Sequence, residues 1–342
     1  MKNNHSFKRI LVTGAAGYIG GMLVDRLLEL FPDAHIIGID LLPQPSDRAW
    51  PSHRVSWIQA DLATNDWQAA AQSDGAIDAV VHCAFRIRTP LGKESAYRKN
   101  NCDAAHNTFV FAFENARQSL VYLSTVSSYG ARKENIGRLL TESDPLLESK
   151  NPYGIHKKLI EEDLASLIKE KNPTLPITVL RLNSVTGPRG QHLSSKFGLI
   201  TFLKKLLPFV IELNPRWARQ FVHEDDVVDA IIASLNRTSP PVVAQYNIAP
   251  RQFLEVADIA RILHKKILRL PPWTMRIALA ILWPITGGKL VPPGAADGLI
   301  YPINVNGSAI EKDLGFVYHY TAQQALEGLV GRYKENTHTS IA

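Results

Sequence analysis

The chain has 342 residues, of which 45% are hydrophobic and 20% charged, which is typical of globular proteins and not of disordered, collagen-like or disulfide-rich chains. At roughly 100–200 residues per domain, this length favours two domains or one large domain with an appended lobe. The formal net charge of +6 is mild. Because no clustered basic stripe accompanies it, an anionic small molecule is a more plausible partner than nucleic acid.

Cysteine usage and apolar segments bear on the compartment. Cys83 and Cys102 are too few for a disulfide framework, which favours a reducing cytoplasmic location. The polar residues 1–9 lead into an apolar stretch too short for a signal peptide. The apolar run 277–285, within segment 273–290, is shorter than the roughly 20 residues of a transmembrane span. We expect a buried helix or a substrate-pocket lid there, with peripheral membrane contact as the alternative.

Short apolar runs alternate with longer helical stretches along the first two thirds of the chain. The runs predict strands at residues 8–13, 34–39, 55–59, 79–82, 120–124 and 177–182. A helix is predicted over 20–31, directly after the first strand. Nearly continuous apolar strands separated by helices are typical of a parallel sheet that is covered on both faces. The sequence therefore predicts a doubly wound α/β fold.

The pattern changes after Gly187. Helices are predicted over 194–211 and 226–235, and residues 271–302 are rich in proline, glycine and large apolar side chains. We expect residues 1–187, with returning segments near 219–246, to form the doubly wound domain. Residues 188–218 and 247–342 are expected to form a smaller, interleaved C-terminal substrate lobe.

A glycine-rich loop follows the first predicted strand. Gly14, Gly17 and Gly20 are spaced by three residues, which suits a tight turn whose backbone approaches a pyrophosphate at a helix N-terminus. A glycine motif alone is weak, but here a strand precedes it and a helix follows, as a dinucleotide site requires. We expect the intervening residues Ala16, Tyr18 and Ile19 to contact the cofactor as well.

Acidic residues close the second and third predicted strands. Asp40 could accept hydrogen bonds from the adenosine ribose and would repel a 2′-phosphate, which favours NAD over NADP. Arg48 lies nearby and keeps NADP open as the less favoured cofactor. Asp61 and Leu62 are placed to reach the adenine, although Asp61 would serve almost equally well as the N-cap of the next helix.

A tyrosine and a lysine are the strongest catalytic signal. Tyr153 and Lys157 are four residues apart and would share one face of a helix. A nearby ammonium group favours the phenolate, so we expect the tyrosine pKa to fall toward neutrality and Tyr153 to act as a general acid/base. Lys157 could also hold the nicotinamide ribose. The hydroxyl-rich segment 124–130 ends a predicted strand at the edge where such sheets bind ligands, and could hydrogen-bond a substrate oxygen.

This combination resembles the extended short-chain dehydrogenase/reductase family, in particular its NAD-dependent epimerase/dehydratase branch, over nearly the whole chain. The matching positions are Thr13, Gly14, Gly17 and Gly20, the segment His82-Cys83-Ala84-Phe85, Asn101, Thr125, Tyr153 with Lys157, Arg181, Gly187-Pro188, the segment 219–227 and Tyr246-Asn247-Ile248. The resemblance implies a Rossmann fold, a small-molecule substrate and NAD flanked by Cys83 and Ala84. It also implies catalysis by Thr125, Tyr153 and Lys157, and a homodimer formed through the helix at 101–115 and the helix that carries Tyr153.

The substrate side matches the family less completely. We expect substrate contacts from Arg86, Ser127, Asn183, Ser184 and Arg219. The family commonly has an asparagine three positions before Gly187, where this chain has Ser184, with Asn183 one place earlier. Nucleotide-sugar epimerases usually carry a second, C-terminal arginine for the substrate pyrophosphate, and residues 291–296 contain none.

Three functions remain open from the sequence. The leading one is an NAD-dependent oxidoreductase/epimerase that acts on a hydroxyl-bearing substrate, a sugar or nucleotide sugar. A dehydratase is less expected, because Val126 and Ser127 replace the acidic pair that follows the catalytic threonine in the family's dehydratases. The alternatives are a dehydrogenase/reductase for a hydrophobic alcohol or ketone, resembling 3β-hydroxysteroid dehydrogenases, and a non-catalytic NAD-binding structural subunit.

No metal site is predicted. His223, Glu224, Asp225 and Asp226 are consecutive, but their spacing matches no zinc pattern. A charged loop that caps the following helix is the better interpretation of this segment.

Overall fold

The computed structural model describes residues 6–73, 75–87, 90–193, 204, 207–237, 242–288 and 291–334. The elements run in the order β1 (Arg9–Thr13), α1 (Tyr18–Leu30), β2 (His35–Asp40), β3 (Val55–Gln59), α2 (Trp67–Gln72), β4 (Ile77–His82), α3 (Glu94–Asn115), β5 (Ala116–Thr125), α4 (Pro152–Lys171), β6 (Ile177–Leu182), β7 (Ser184–Thr186), α5 (Pro188–Leu193), β8 (Phe209–Glu212), β9 (Ala218–Arg219), β10 (Phe221–His223), α6 (Glu224–Leu235), β11 (Val243–Ile248), β12 (Leu254–Glu255), α7 (Val256–Ile262), β13 (Lys266–Arg269), α8 (Pro272–Ile285), α9 (Asp297–Ile300), α10 (Ser308–Leu314) and α11 (Ala322–Glu327).

Seven parallel strands form the central sheet, in the order β11-β6-β5-β4-β1-β2-β3. All six predicted strands belong to it, and β11 adds a seventh at the edge beside β6. The doubly wound α/β fold is therefore confirmed. Because β1 lies at the point where the strand order reverses, the ends of β1 and β4 border the crevice in which such sheets bind ligands.

Helices cover both faces of the sheet, which explains why its strands are apolar along their whole length. On one face Leu27 of α1 packs in the same buried cluster as Ile231 of α6. On the other face Phe109 of α3 clusters with Leu164 of α4. Each of these side chains is at most 2% exposed, and burial of such a side chain stabilises the fold by about 1.5–3 kcal/mol.

The predicted helix over 194–211 agrees with the helical conformation of residue 204 but is wrong at its end. Residues 194–203 and 205–206 lie outside the described residues, but 209–211 belong to β8. This strand pairs in parallel with β13, and its Val210 is buried in a separate core cluster with Leu254 and Ile259. Pairing with a strand that lies far along the chain overrides the local helical pattern here. The helix predicted over 226–235 is confirmed and begins two residues earlier, at Glu224.

The apolar segment near residue 280 also differs from its prediction. It does form a helix, α8, but of the 14 residues in this helix only Leu279 is buried. The larger apolar side chains face outward, so the expectation of a buried helix is wrong. Among the residues that the structure describes, no helix has the length and apolarity needed to cross a bilayer.

Candidate active site

The glycine loop closes tightly against its neighbours. Gly14 adopts a left-handed conformation with φ of +69°, and its N–H donates to the Ile39 carbonyl at 2.8 Å. A side chain on Gly14 would lie 2.6 Å from the backbone nitrogen of Ala84, and one on Gly20 would lie 2.1 Å from the Gly14 oxygen. Only glycine fits at both positions. The loop therefore brings bare backbone to the N-terminus of α1, where Gly17 caps the helix without a side-chain hydrogen bond.

Asp40 is held at the end of β2 by this same loop. Its carboxylate oxygens accept hydrogen bonds from the Ala16 N–H at 3.0 Å and from the Leu42 N–H at 3.1 Å. Arg48, which kept NADP open, instead pairs with Asp25 and donates to the Gly21 carbonyl at 2.8 Å. Arg48 does not line the cavity that Asp40 borders. Among the described residues, the basic side chains that line this cavity are Arg86 and Lys157. Both lie further along the lining, so neither stands beside Asp40 to bind a 2′-phosphate.

A cavity of about 340 Å³ runs from the glycine loop to α4. Its lining includes most of the predicted cofactor residues, namely Gly14, Gly17, Tyr18, Ile19, Gly20, Asp40, Asp61, Leu62, Cys83, Ala84, Tyr153 and Lys157. Ala16 is not among the lining residues and contributes the N–H that fixes Asp40. The cradle of glycines and the fixed carboxylate fit an NAD molecule, with the diphosphate at α1 and the adenosine ribose at Asp40.

Asp61 stands in the cavity wall and is not a helix cap. Its carboxylate accepts hydrogen bonds from the Ala63 N–H at 3.0 Å and from the Asn100 side chain at 3.2 Å. Helix α2 begins six residues later, at Trp67, so the alternative interpretation of Asp61 as its N-cap is wrong. The link to α3 through Asn100 was missed from the sequence, because nothing local to either residue indicates that β3 and α3 meet.

The catalytic pair is placed by the start of α4. Asn151 caps this helix by accepting the Tyr153 N–H at 3.3 Å, and Pro152 occupies the first turn. A side chain on Gly154 would lie 2.6 Å from the Ser127 carbonyl oxygen, so this glycine lets α4 approach the turn after β5. That approach puts Tyr153 beside Thr125, the last residue of β5, while Lys157 follows one turn along the helix.

Burial dominates the electrostatics of this pair. The Lys157 ammonium donates to the Leu123 carbonyl and lies 4.3 Å from the centre of the Phe85 ring. Burial lowers the pKa of Lys157 to about 7. Burial raises the pKa of Tyr153, and the neighbouring Thr125 hydroxyl acts in the opposite direction. The expected fall of the tyrosine pKa is therefore wrong for the protein without cofactor, because desolvation of the phenolate outweighs the hydrogen bond.

His82 ends β4, and Cys83 after it lines the cofactor cavity; both side chains are neutral. The Thr13 hydroxyl and the His82 Nδ1 are 2.8 Å apart, and burial lowers the His82 pKa to about 3. Burial raises the pKa of the Cys83 thiol to about 12. A thiol with so high a pKa is a poor nucleophile, so Cys83 contributes an uncharged side chain to the wall of the cofactor cavity.

A second cavity, of about 160 Å³, lies on the other side of the turn after β5. Ser127 and Arg219 line it, together with Ala131, Glu148, Asn151, Val291, Ala295, Gly298, Leu299 and Ile303. The Arg219 guanidinium donates to the Gly298 carbonyl at 3.1 Å and lies 5.4 Å from the centre of the Trp217 ring. Burial lowers its pKa to about 10, so Arg219 remains cationic at neutral pH.

The remaining predicted substrate residues are placed differently. Asn183 donates to the Gln220 side chain at 3.2 Å and accepts the Ser184 N–H at 2.8 Å. Neither Asn183 nor Ser184 lines the two cavities described above. Arg86 borders the larger cavity, where Asn101 accepts its backbone N–H at 3.0 Å. The structure thus brings Ser127 and Arg219 together and leaves Asn183 and Ser184 in the supporting framework.

The segment 223–226 forms the cap and the first turn of α6, in agreement with the expected capping role. His223 Nδ1 accepts the Asp225 N–H at 3.1 Å at the helix N-terminus. Glu224 accepts the Arg189 and Gly190 N–H groups at 2.8 and 2.9 Å, and also the Tyr18 hydroxyl. Backbone donors and a phenol thus satisfy the Glu224 carboxylate, which makes its role structural.

Comparison with known proteins identifies the family. The model of the NAD dependent epimerase/dehydratase family matches residues 10–249. A Bacillus subtilis protein named as an uncharacterized UDP-glucose epimerase, YtcB, is 30% identical over 241 residues, which cover 67% of this chain and 73% of that protein. A trifunctional UDP-glucose 4,6-dehydratase/epimerase/reductase of Arabidopsis thaliana, RHM2, is 26% identical over 264 residues. That match covers 74% of this chain but only 38% of the plant protein's length.

The fold has close counterparts among solved structures. The Bordetella bronchiseptica enzyme WbmG, solved with NAD and UDP, superposes with a TM-score of 0.73 at 20% identity, over 98% of this chain and 97% of that one. The Rossmann architecture agrees between the two. With the family match, the glycine cradle and the fixed Asp40, these findings show that the chain belongs to the NAD-dependent epimerase/dehydratase family, whose members are enzymes of the extended short-chain dehydrogenase/reductase type that use NAD.

Proposed function

We propose that this enzyme is a nucleotide-sugar epimerase that inverts a hydroxyl-bearing carbon by transient oxidation. The single observation that carries this proposal is that Tyr153 and Lys157 line the NAD cavity, with Thr125 beside Tyr153, at a junction where Ser127 and Asn151 line the second cavity. A hydroxyl, a phenol and a buried lysine at that junction are the groups that proton transfer to and from an alcohol requires.

The protein's own residues supply the proton chemistry. Bound NAD supplies a nicotinamide C4 that accepts and returns a hydride. Tyr153, as phenolate, takes the proton of the substrate hydroxyl, and Thr125 donates a hydrogen bond to the same oxygen as it becomes a carbonyl. Lys157, anchored on the Leu123 carbonyl, presents positive charge to the region of the phenolate and the ribose. Return of the proton from Tyr153, after the keto sugar has turned, gives the inverted alcohol.

The second cavity supports an anionic, sugar-bearing substrate. Arg219 places one partly buried cation beside Ser127 in this cavity, and Ser127 lies two residues after Thr125. A diphosphate is a ligand that a guanidinium binds well through paired hydrogen bonds. The names of the Bacillus relative and of the WbmG complex also point to uridine nucleotides, UDP-glucose in the first and UDP in the second.

One experiment separates the proposed function from its alternatives. Native mass spectrometry of the purified protein should show NAD retained on the chain, because an epimerase recycles its cofactor within each turnover. Proton NMR should then show interconversion of UDP-glucose and UDP-galactose, or of another UDP-hexose pair, without added cofactor. Tyr153→Phe should lower the rate at least a hundredfold, because it removes the acid/base. No interconversion by the wild type, together with no difference from Tyr153→Phe in any measured property, would support the non-catalytic subunit. Equal and measurable rates would instead contradict the role given to Tyr153.

A dehydrogenase/reductase for a hydrophobic alcohol or ketone is the second candidate. The lining of the second cavity favours it, since Val291, Leu299 and Ile303 are apolar and Arg219 is the one arginine among the described residues that line it. Residues 291–296 also lack the arginine expected for a nucleotide sugar. This candidate predicts an NAD-free protein that binds the cofactor reversibly and shows stoichiometric NADH formation with hydrophobic alcohols.

A further inference from the structure

Helix α8 presents an apolar stripe to solvent. Trp273, Ile277, Ile281 and Ile285 recur every four residues, and their side chains are 59%, 51%, 54% and 73% exposed. Spacing of this kind places them along one side of the helix. Leu282, at 43% exposed, widens the stripe near its end. We call these five side chains the α8 surface. Single exposed apolar residues are ordinary, but an exposed row of them marks an interaction surface.

The charge around this helix is one-sided. Between residues 259 and 296 the sequence contains no aspartate or glutamate, but it has six basic residues, Arg261, Lys265, Lys266, Arg269, Arg276 and Lys289. Carboxylates from outside the segment approach three of them: Asp258 lies 3.1 Å from Arg261, and Glu212 and Asp297 lie 2.8 Å from Arg269 and Arg276. Asp297 is shared with Lys150, so that cluster holds two cations for one carboxylate.

The α8 surface extends to the neighbourhood of the cofactor cavity. Gly288, in the turn after α8, is packed so closely on the loop after β4 that a side chain there would lie 2.6 Å from the Leu91 nitrogen. Leu91 and Ile87 on that loop are themselves 45% and 65% exposed, and Ile87 lines the 340 Å³ cavity. Apolar surface thus continues from α8 toward the edge of the site.

We propose that α8 docks this enzyme on an anionic lipid surface, lying along the membrane interface with the α8 surface among the acyl chains and its basic neighbours among the headgroups. A helix of 14 residues is too short to span a bilayer but suits this position. Tryptophan favours the interface, and Trp273 and Trp283 lie near the two ends of the helix. Docking of two copies through α8 is disfavoured, because it would bring the two basic segments together.

Vesicle co-sedimentation of the full chain tests this proposal. Vesicles of phosphatidylcholine with one third phosphatidylglycerol should bind the protein, and pure phosphatidylcholine should bind it far more weakly. The triple variant Ile277→Ser, Ile281→Ser, Ile285→Ser should lose at least tenfold in partition coefficient. Lys266→Glu, at an exposed position of the basic segment, should lose about fivefold on the anionic vesicles and little on the neutral ones.

A matched control uses equally exposed apolar residues elsewhere. Leu139, Val317 and Leu329 are 48%, 58% and 68% exposed, and their triple serine variant should bind anionic vesicles as the wild type does. The α8 variant should keep the thermal unfolding temperature, NAD content and turnover of the wild type. These readouts keep this inference independent of the proposed epimerase activity.

Three results would overturn docking on lipid. One is equal sedimentation of the wild type and the α8 variant with anionic vesicles. Another is a fall of several degrees in unfolding temperature for the α8 variant, which would mean that the stripe is packed within the chain. The third is a wild type that does not bind vesicles and is dimeric by light scattering, while the α8 variant is monomeric. That result would make α8 an interface between copies of the chain.

Discussion

At the scale of single residues, the cofactor loop depends on glycine for two separable reasons. Gly14 requires both a positive φ and the absence of a side chain, whereas Gly137 has a similar φ of +75° with nothing within 4 Å of its missing side chain. Alanine at a left-handed position is destabilised by roughly 1–2 kcal/mol. The pair therefore allows the steric contact in the loop to be measured apart from the backbone conformation.

We predict that Gly14→Ala abolishes NAD retention, whereas Gly137→Ala does not. In Gly14→Ala the new methyl group meets the Ala84 backbone, so the end of β4 or the loop must move away from the diphosphate position. Gly137→Ala should lower the free energy of unfolding by about 1 kcal/mol and leave NAD content unchanged. Native mass spectrometry and urea unfolding of both variants measure these effects. Equal loss of NAD in the two variants would contradict a steric origin.

The buried lysine predicts a specific pH dependence. The pKa of Lys157 falls to about 7 in the folded protein, from an ordinary value of 10.5. Between these values the unfolded chain binds the proton and the folded chain releases it, so stability rises with pH in this window. Lys157→Met lacks this contribution. Without NAD, the free energy of unfolding of the wild type should rise relative to that of Lys157→Met between pH 7 and 9.5, by at most about 1.4 kcal/mol per pH unit. Below pH 7 the difference between the two proteins should stay constant.

Urea unfolding of the two NAD-free proteins at pH 6, 7, 8 and 9 measures this difference. The comparison removes the contributions of all other titrating groups that the variant leaves unchanged. Parallel pH profiles for the wild type and Lys157→Met would show that the lysine does not titrate in this range, and that burial of its ammonium is offset by the Leu123 carbonyl and nearby rings.

At the scale of elements, a buried ion pair joins α4 to the sheet. The Arg181 guanidinium of β6 and the Glu161 carboxylate of α4 are 2.7 Å apart, with side chains only 4% and 5% exposed. Ser124 of β5 donates to the same glutamate, and Tyr129 accepts from Arg181 at 2.8 Å. The helix that carries Tyr153 is thus fixed against the strand that ends in Thr125.

We predict that Arg181→Met destabilises the fold by about 3–5 kcal/mol, because Glu161 is then left as an unpaired buried charge. The double variant Arg181→Met, Glu161→Leu should recover most of this loss, since no ionised group remains to be desolvated. Chemical denaturation of the wild type, both single variants and the double variant completes the cycle. A double variant as unstable as Arg181→Met would mean that other contacts of the pair dominate.

Local sequence patterns predicted those elements in which the period of the hydrophobic residues matches the burial seen in the structure. The apolar strands, the glycine loop and the Tyr153–Lys157 pair are each visible within a few residues of sequence, and the structure places them at one cavity. The contacts of Asp61 and Asn183 could not be predicted, because their hydrogen-bond partners, Asn100 and Gln220, belong to distant parts of the chain. The end of the helix predicted over 194–211 failed for the same reason, since the β8–β13 pairing spans more than 50 residues of chain.

At the scale of the whole molecule, the outward face of α8 shows a limit of reading hydrophobicity from sequence. Periodicity locates the apolar side of a helix but does not tell whether protein, lipid or water covers it. Likewise, the raised pKa of Tyr153 depends on partial burial of the phenol, which only the packing of α4 on the turn after β5 establishes. The homodimer through α3 and α4 stays a prediction.

The position of β11 has a consequence for synthesis on the ribosome. Translation proceeds from the N-terminus, so six strands of the sheet are available once residue 182 has emerged, whereas the seventh begins only at Val243. Until then the apolar strand β6 offers an open row of peptide groups on the side that β11 later occupies. A nascent or truncated chain that stops between these points is therefore prone to aggregate, and engagement by a chaperone is most valuable in that interval.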